Sequence, residues 1–396
     1  MKYAFIIPDG AADEPIETLD GQTPLAAART PHTDWISIHG RQGTVVTVPP
    51  TMEPHTDVAT LSLLGYDPTV FHTGRAPLEA AAAGLELAPT DLVFRCNLVT
   101  LVEGTLADFT AGHIGQTEAA RIIDVLNQHL ADARVRFHPG VSYRNLMVIK
   151  DGAGLDVRCT PPHDIPNQPV KRYLPMGPDA ARIKGLMDRA AALLEDHEIN
   201  LVRRDLGENP ATHIWLWGQG QAVNLPPFSQ HTGLPSAAVI SAVDVVRGLA
   251  AGAGMTLIDV PGATGFLDTN YRGKGDAAVA ALDDFDFVLV HIEAPDEAGH
   301  LGDTAAKVGA LERIDEHIVG PLLDRIRSFD HWKTIVVPDH PTPTGRRVHT
   351  ADPSPFCVAG DGVHTVLARA FSETNAQISD LHVDPGHELM EYFLKP

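Results

Sequence analysis

Cysteine is scarce in this chain. Cys96, Cys159 and Cys357 are the only three among 396 residues. An odd, sparse set without CxxC spacing supports neither a disulfide framework nor a structural zinc site. Positive charge is short as well: 30 Lys and Arg stand against 51 Asp and Glu, a formal net charge of −21. Sequence-independent binding of DNA or RNA needs a basic footprint, and so does a polybasic membrane surface. The expectation is therefore no nucleic-acid partner and no membrane. No apolar run approaches transmembrane length, and the apolar part of the opening "MKYAFIIPDG" is too short for a secretory signal. A cytoplasmic protein is expected. Repeats of solenoid length and low-complexity tracts are missing too.

What is present is a large apolar fraction, 44% of the chain, enough for two domains or for one core with an insertion. Short apolar runs alternate with helical patterns. Tyr3 to Ile7 reads as a buried strand, Val45 to Val48 as another. "SAAVISAVDVVRGLAAGAGMTLIDVPG" reads strand, helix, glycine-rich stop, strand, and "DAAVAALDDFDFVLVHIEAPDEAGH" repeats the helix-then-strand order. A long amphipathic helix over 305–329 precedes the strand "KTIVVPDH". This alternation predicts an α/β fold with a mostly parallel sheet and helices on both faces. The middle differs, with two helical patterns (Thr117 to Leu130, Asp179 to His197), short strands such as "NLMVIK" and a Pro- and His-rich loop. It is expected to be an inserted smaller α+β domain over 112–209. Segments 1–111 and 210–396 then form a discontinuous core.

Three strand ends carry similar side chains. "IIPDG" ends in Asp9; "VLVHIEAPDEAGH" carries Asp296 and His300, four apart and so on one helix face. "IVVPDHPTP" gives Asp339 and His340, with His349 nine residues after His340. In a parallel sheet, ligands gather at the carboxyl ends of strands, and three such ends side by side suit divalent ions. Six Asp and His ligands, with a hydroxyl, are enough for two ions. Mixed oxygen and imidazole donors suit manganese or zinc, with magnesium or cobalt as alternatives. Two ions close together are a common device for phosphoryl chemistry.

In "EPHTDVATLSLLGYDP", Thr56 lies where a short helix begins. A hydroxyl there is either a helix cap or a nucleophile at the positive end of the helix. Thr60 and Ser62 are its rivals in the same segment.

Taken together, these motifs resemble the alkaline phosphatase superfamily. More closely, the chain resembles the archaeal-type, cofactor-independent phosphoglycerate mutases, a family that includes bacterial members proposed as homoserine kinases. The resemblance covers nearly the whole chain and rests on "PDGAAD", "DVATLSLLGYDP", "TGRAPLEAAAAGL", "FRCN", "PGATGFLDTNYRGK", "HIEAPDEAGH" and "PDHPTPTGRRVHTADPSPF". It implies that Asp296, His300 and His349 hold one ion. Asp9, Asp339 and His340 hold the other, together with the nucleophile hydroxyl of Thr56. The family's usual Gly-Ser-Asp is here His55, Thr56 and Asp57, and Pro341 replaces the serine of its "DHSTP". With ions on both sides, the nucleophile reading of Thr56 overtakes the cap.

The resemblance further implies a phosphothreonine intermediate, interconversion of 3- and 2-phosphoglycerate, and no bisphosphoglycerate cofactor. The alternatives are transfer to another hydroxyl such as that of homoserine, transfer of a phosphonyl group, and hydrolysis. No Walker A loop is present for a nucleotide. A small phosphorylated hydroxy acid needs cations in this acidic chain. Arg75 and Lys274 are candidates, as are Arg95, Asn97, His138, Arg144 and His163, with the insert acting as a substrate domain and lid.

Overall fold

A computed structural model describes residues 1–395 and divides the chain into two compact units. The first joins Met1–His72 to everything from Leu225 onward, and the second is Thr73–Asn224.

The first unit is built on an eight-stranded sheet. Its order is His382–Val383, Arg41–Val45, Ser354–Gly360, Trp332–Val336, Lys2–Pro8, Phe287–Ile292, Ala237–Ile240, Thr256–Leu257. Five of its seven pairings are parallel; Ser354–Gly360 runs antiparallel to both neighbours. The reason lies in the strand sequences. Residues 3–8 are buried without a break, as a strand covered on both faces requires. Ala4 and Ile6 pack into a cluster with Ala278 and Leu282 from the helix Tyr271–Asp284 and with Leu311, Ile318 and Leu322 from the successive segments Thr304–Ile314, Asp315–Val319 and Gly320–Ile326. On the other face Tyr3 and Phe5 meet Phe393 edge to face, at ring separations of 5.5 and 5.6 Å.

Lys2–Pro8 lies between Phe287–Ile292 and Trp332–Val336, parallel to both. The three strand ends that carry Asp9, Asp296, Asp339 and His340 are thereby neighbours. The strand expected at 45–48 sits earlier, at Arg41–Val45. The helix expected over 305–329 is interrupted by a π segment at Asp315–Val319. Asp315 accepts from the backbone N–H groups of His32 and Thr33 at 3.0 and 2.7 Å, and so caps the helix Pro31–His39.

In the second unit Leu92–Val102 is the central strand, antiparallel to Arg144–Ile149 and to His213–Gln221. The helices Gln116–Leu130 and Ala180–Leu194 share its large apolar cluster through Ile122, Leu126, Ile183 and Met187. Ala76 and Ala80 of the helix Arg75–Ala82 pack with Val93, Leu146 and Val148. The unit is therefore wider than the 112–209 read from the sequence. Its central strand and one covering helix lie before Gly112, and a long edge strand lies after Asn209. Among the described residues no helix is long and apolar enough to cross a membrane.

Candidate active site

Asp9 follows the strand Lys2–Pro8 at the turn Pro8-Asp9-Gly10. Gly10 has φ +61°, and a Cβ there would lie 2.4 Å from Asp296 Oδ1. Only glycine lets the first strand end approach the second this closely. Asp339 Oδ1 accepts from the N–H groups of Gly10 and His340 at 3.1 and 2.9 Å. Its Oδ2 is left 3.3 Å from His340 Nε2, which in turn is 3.7 Å from Asp9 Oδ1. Asp9, Asp339 and His340 are all fully buried. Burial, and then the Asp339 charge, push the Asp9 carboxyl well above its ordinary range, while burial lowers His340.

Thr56 opens the helix Thr56–Leu63. The N-cap position belongs to His55, whose side chain makes no capping bond, and the Thr56 side chain is engaged away from the helix backbone. Its hydroxyl instead lies 3.4 Å from His340 Nε2 and 3.5 Å from Asp9 Oδ2. Thr60 and Ser62 are buried in the body of the same helix, as packing residues are. His55 meets His349 edge to face, with ring centroids 6.0 Å apart.

The other three sequence candidates also converge. His300 Nε2 is 3.1 Å from Asp296 Oδ2, and His349 Nε2 is 3.3 Å from Asp296 Oδ1. The two Nε2 atoms are 2.9 Å apart. Each ring engages a backbone carbonyl with Nδ1: Arg347 for His300 at 3.0 Å, Pro54 for His349 at 2.9 Å. An imidazole that donates from Nδ1 offers its Nε2 lone pair to a cation. Burial pushes Asp296 up, but hydrogen bonds from His300 and His349 win and hold it well below the usual carboxylate range. The hydrogen bond to Asp296 raises His300 to about 9. Burial lowers His349, yet its bond to Asp296 outweighs that and raises it overall. Thr342 joins the two sets, donating its hydroxyl to Asp296 Oδ1 and lying 3.3 Å from His340 Nδ1.

Sequence reasoning passed over two residues here. His291 and Glu293 stand beside Asp9, one ligand atom from each of the three lying within 4.8 Å of the others. The signal was a histidine inside an otherwise apolar buried strand, FVLVHI, with a carboxylate just past its end. Lys274 is buried below them and donates to the His291 carbonyl at 3.1 Å. Burial lowers it to about 8, against the pull of Glu293.

The remaining candidates all lie in the second unit. Arg95 stacks over Trp217 at 4.2 Å and pairs with Glu79 at 3.0 Å. Burial lowers this guanidinium to about 10 against the pull of Glu79, with Arg75 and Arg144 adding repulsion. Asn97 accepts from Trp217 Nε1 at 3.1 Å, and His163 meets the same ring edge-on at 5.0 Å. Gly218 passes beneath both Arg95 and Arg75. Register pairs Arg95 with Leu146 and Leu146 with His138, and pairs Asn97 with Arg144. These strand residues therefore share one face of the sheet.

A family model described as 2,3-bisphosphoglycerate-independent phosphoglycerate mutase matches residues 38–200. The chain is 47% identical to 2,3-bisphosphoglycerate-independent phosphoglycerate mutase 2 of Methanothermobacter thermautotrophicus, over 100% of this chain and 98% of that one. It is 47% identical to the enzyme of that family name from Methanothrix thermoacetophila, over the full length of both. Among solved structures, a Pyrococcus horikoshii protein superposes with TM-score 0.85 at 29% identity, covering 99% of this chain and 96% of that one. The cofactor-independent phosphoglycerate mutase of Thermoplasma acidophilum gives 0.69 at 28%, covering 100% and 99%. Full-length identity at this level, on a chain carrying these strand ends, makes it a member of the 2,3-bisphosphoglycerate-independent phosphoglycerate mutase family.

Proposed function

We propose that this chain interconverts 3-phosphoglycerate and 2-phosphoglycerate through a phosphothreonine at Thr56, without bisphosphoglycerate. The observation that carries the reading is the Thr56 hydroxyl: buried at a helix N-terminus, engaged away from the helix backbone, and within 3.5 Å of Asp9 and His340. The names of its relatives support the same reaction.

The donor sets fit two divalent cations. Asp9, Asp339 and His340, with Thr56, would hold one; Asp296, His300 and His349 would hold the other. Asp9 Oδ1 and Asp339 Oδ2 are buried without hydrogen-bond partners, which suits atoms meant for a cation. The two Nε2 atoms of His300 and His349 converge beside Asp296. Carboxylate and imidazole together suit manganese or zinc, with magnesium or cobalt as alternatives. When bound, such ions would neutralise the phosphate and favour ionisation of the adjacent hydroxyl.

Thr56 Oγ1 forms a bond to phosphorus as the bond to the glycerate oxygen breaks, and the hydroxyl proton ends on that oxygen. The helix N-terminus favours negative charge at the same place. Glycerate then turns, its other hydroxyl oxygen takes the phosphoryl group back, and a proton returns to Thr56. In the second unit, Arg75, Arg95 and Arg144, with Asn97, His138 and His163, form a cationic face suited to an anionic acid. Arg75 supports this with a buried Nε that has no hydrogen-bond partner. Lys274 adds a buried positive charge beside His291.

The test is a coupled assay for 2-phosphoglycerate from 3-phosphoglycerate with manganese. Homoserine with ATP and a general phosphatase substrate run alongside. Thr56→Ala should lose on the order of 10³-fold or more in rate, while Thr56→Ser retains activity and yields a phosphorylated active-site peptide. Thr56→Ala should not lose the stability of a helix cap, since the N-cap position belongs to His55. A fully active Thr56→Ala, or phosphate on Ser62, would refute the assignment.

A further inference from the structure

Three of the polar candidates in the second unit meet on one indole. The Arg95 guanidinium lies over the Trp217 ring at 4.2 Å, the Asn97 side chain accepts from its Nε1 at 3.1 Å, and the His163 ring meets it with centroids 5.0 Å apart. Register explains the first two contacts. Arg95 stands directly opposite Trp217, and Asn97 opposite Trp215, so Asn97 is the diagonal neighbour of Trp217 on the same face. Just past Trp217 the register shifts, and Val93 pairs with Gly220 rather than Gln219. The extra residue makes a β-bulge, and Gly218, at φ +59°, supplies the left-handed conformation that such a bulge takes. A bulge bends its strand and re-aims the side chains beside it. A Cβ on Gly218 would lie 3.4 Å from Arg95 Cδ, so the glycine also makes room for the arginine stem. Glu79 pairs with Arg95 Nε at 3.0 Å. An arginine has much rotamer freedom to lose, and this one is already stacked on an indole and paired with a carboxylate before any ligand arrives. Trp217 is buried in the apolar cluster of the second unit, but filling space needs neither a π face nor an N–H.

We propose that Trp217 is a positioning residue for the mutase reaction, its indole presetting Arg95 and Asn97 for the anionic substrate. The inference rests on the reading that this face receives the substrate. Trp217 acts through Arg95 and Asn97, and so it governs substrate binding more than the chemistry at Thr56.

The experiment measures kcat and KM for 3-phosphoglycerate with the manganese-loaded enzyme, beside urea unfolding. Trp217→Phe keeps a ring beneath Arg95 and removes the indole N–H, so KM should rise about 3- to 10-fold with kcat within about twofold. Trp217→Leu removes both, and KM should rise roughly 10- to 100-fold. Trp217→Tyr takes the place of Trp217→Phe if that variant fails to fold, since it too has a ring and no indole N–H. In an Asn97→Ala background, Trp217→Phe should raise KM little further, because the bond it removes is already gone. A tryptophan that only fills the core would lower the urea midpoint and leave KM alone. That result, with KM raised in Arg95→Ala, would overturn the positioning role and leave the face as the substrate site. An unchanged KM in Arg95→Ala as well would overturn both.

Discussion

The two histidine-carboxylate clusters joined by Thr342 use the same side chains in opposite ways. Asp9, Asp339 and His340 are fully buried at strand ends. Asp296, His300 and His349 come from a helix start and a later loop, and their side chains are 4%, 37% and 17% exposed. In the closed cluster, backbone N–H groups fix one oxygen of Asp339, and burial keeps His340 neutral. In the open cluster, carbonyls fix the rings, and the histidines neutralise Asp296 with protons of their own. Rigidity in the first is supplied by the sheet, and in the second by side-chain contacts that solvent can reach. A cation would therefore satisfy buried orphan oxygens in one case and displace imidazole protons in the other.

The largest expected difference concerns loss of a ligand. Asp339→Ala should lower the mutase rate on the order of 10³-fold, comparable with or beyond removal of a single oxyanion donor. Extra manganese should not restore it, because the cluster is sealed. His300→Ala should lose less and recover as manganese is raised, because its side chain is partly exposed. Rate against manganese concentration for both variants checks this. Equal recovery in the two would erase the distinction between closed and open.

Next in size is the effect of Lys307 on the closed side. This lysine is fully buried and donates to Asp13 Oδ2 at 2.9 Å, Thr342 O at 2.9 Å and Ala12 O at 3.2 Å. Its three N–H groups thereby tie the loop after Asp9 to the loop after His340. Lys307→Met would leave Asp13 buried without its partner, at a cost of about 3–5 kcal/mol. Urea unfolding should report that loss, and Lys307→Met with Asp13→Asn should recover part of it. A single variant within 1 kcal/mol or so of wild type would mean the loops are held by other contacts.

The same contrast governs what could be read from the amino acids. Asp9, Asp296, Asp339 and His340 were legible because each follows or closely trails a buried apolar run, and parallel strands align such ends. His300 followed from helical spacing, and His349 from its place in the "RRVHTADP" loop. Lys307 was not legible, since its acceptors are 35 and about 295 residues away in the chain, and a helical lysine normally reads as solvated. His291 and Glu293 were hidden for a similar reason: only the fold brings Asp9 beside them. The edges of the second unit were misjudged because Gly112 and Asn209 punctuate loops inside it. Nothing local in "LVFRCNLVTLV" says which sheet that strand will join, and long-range antiparallel pairing settles it. That Arg95, Asn97, His138 and Arg144 share one face of the second unit's sheet likewise emerges only from register.

The smallest effect sharpens the comparison through pH. His300 is raised to about 9 by its bond to Asp296, so at neutral pH it carries a proton that a cation must displace. For each proton displaced, affinity rises about tenfold per pH unit, about 1.4 kcal/mol. The rise continues toward pH 9 and then levels, and His349, also raised, steepens it. In the closed cluster His340 is lowered, so its imidazole has no proton to give up near neutrality. The pH dependence there falls to the raised carboxyl of Asp9. Folding of chelated protein should show the reverse sign. A histidine raised by folding adds stability that is complete below its unfolded value near 6.5 and is lost as pH climbs through about 9. Manganese titration calorimetry between about pH 6 and 9, repeated in buffers of different ionisation enthalpy, counts the released protons. Wild-type protein should release protons on filling the open cluster, and His300→Ala should release fewer with a flatter pH profile. Identical proton release in the two proteins would show that His300 is not protonated before the metal enters, and the open cluster would then bind by the same route as the closed one.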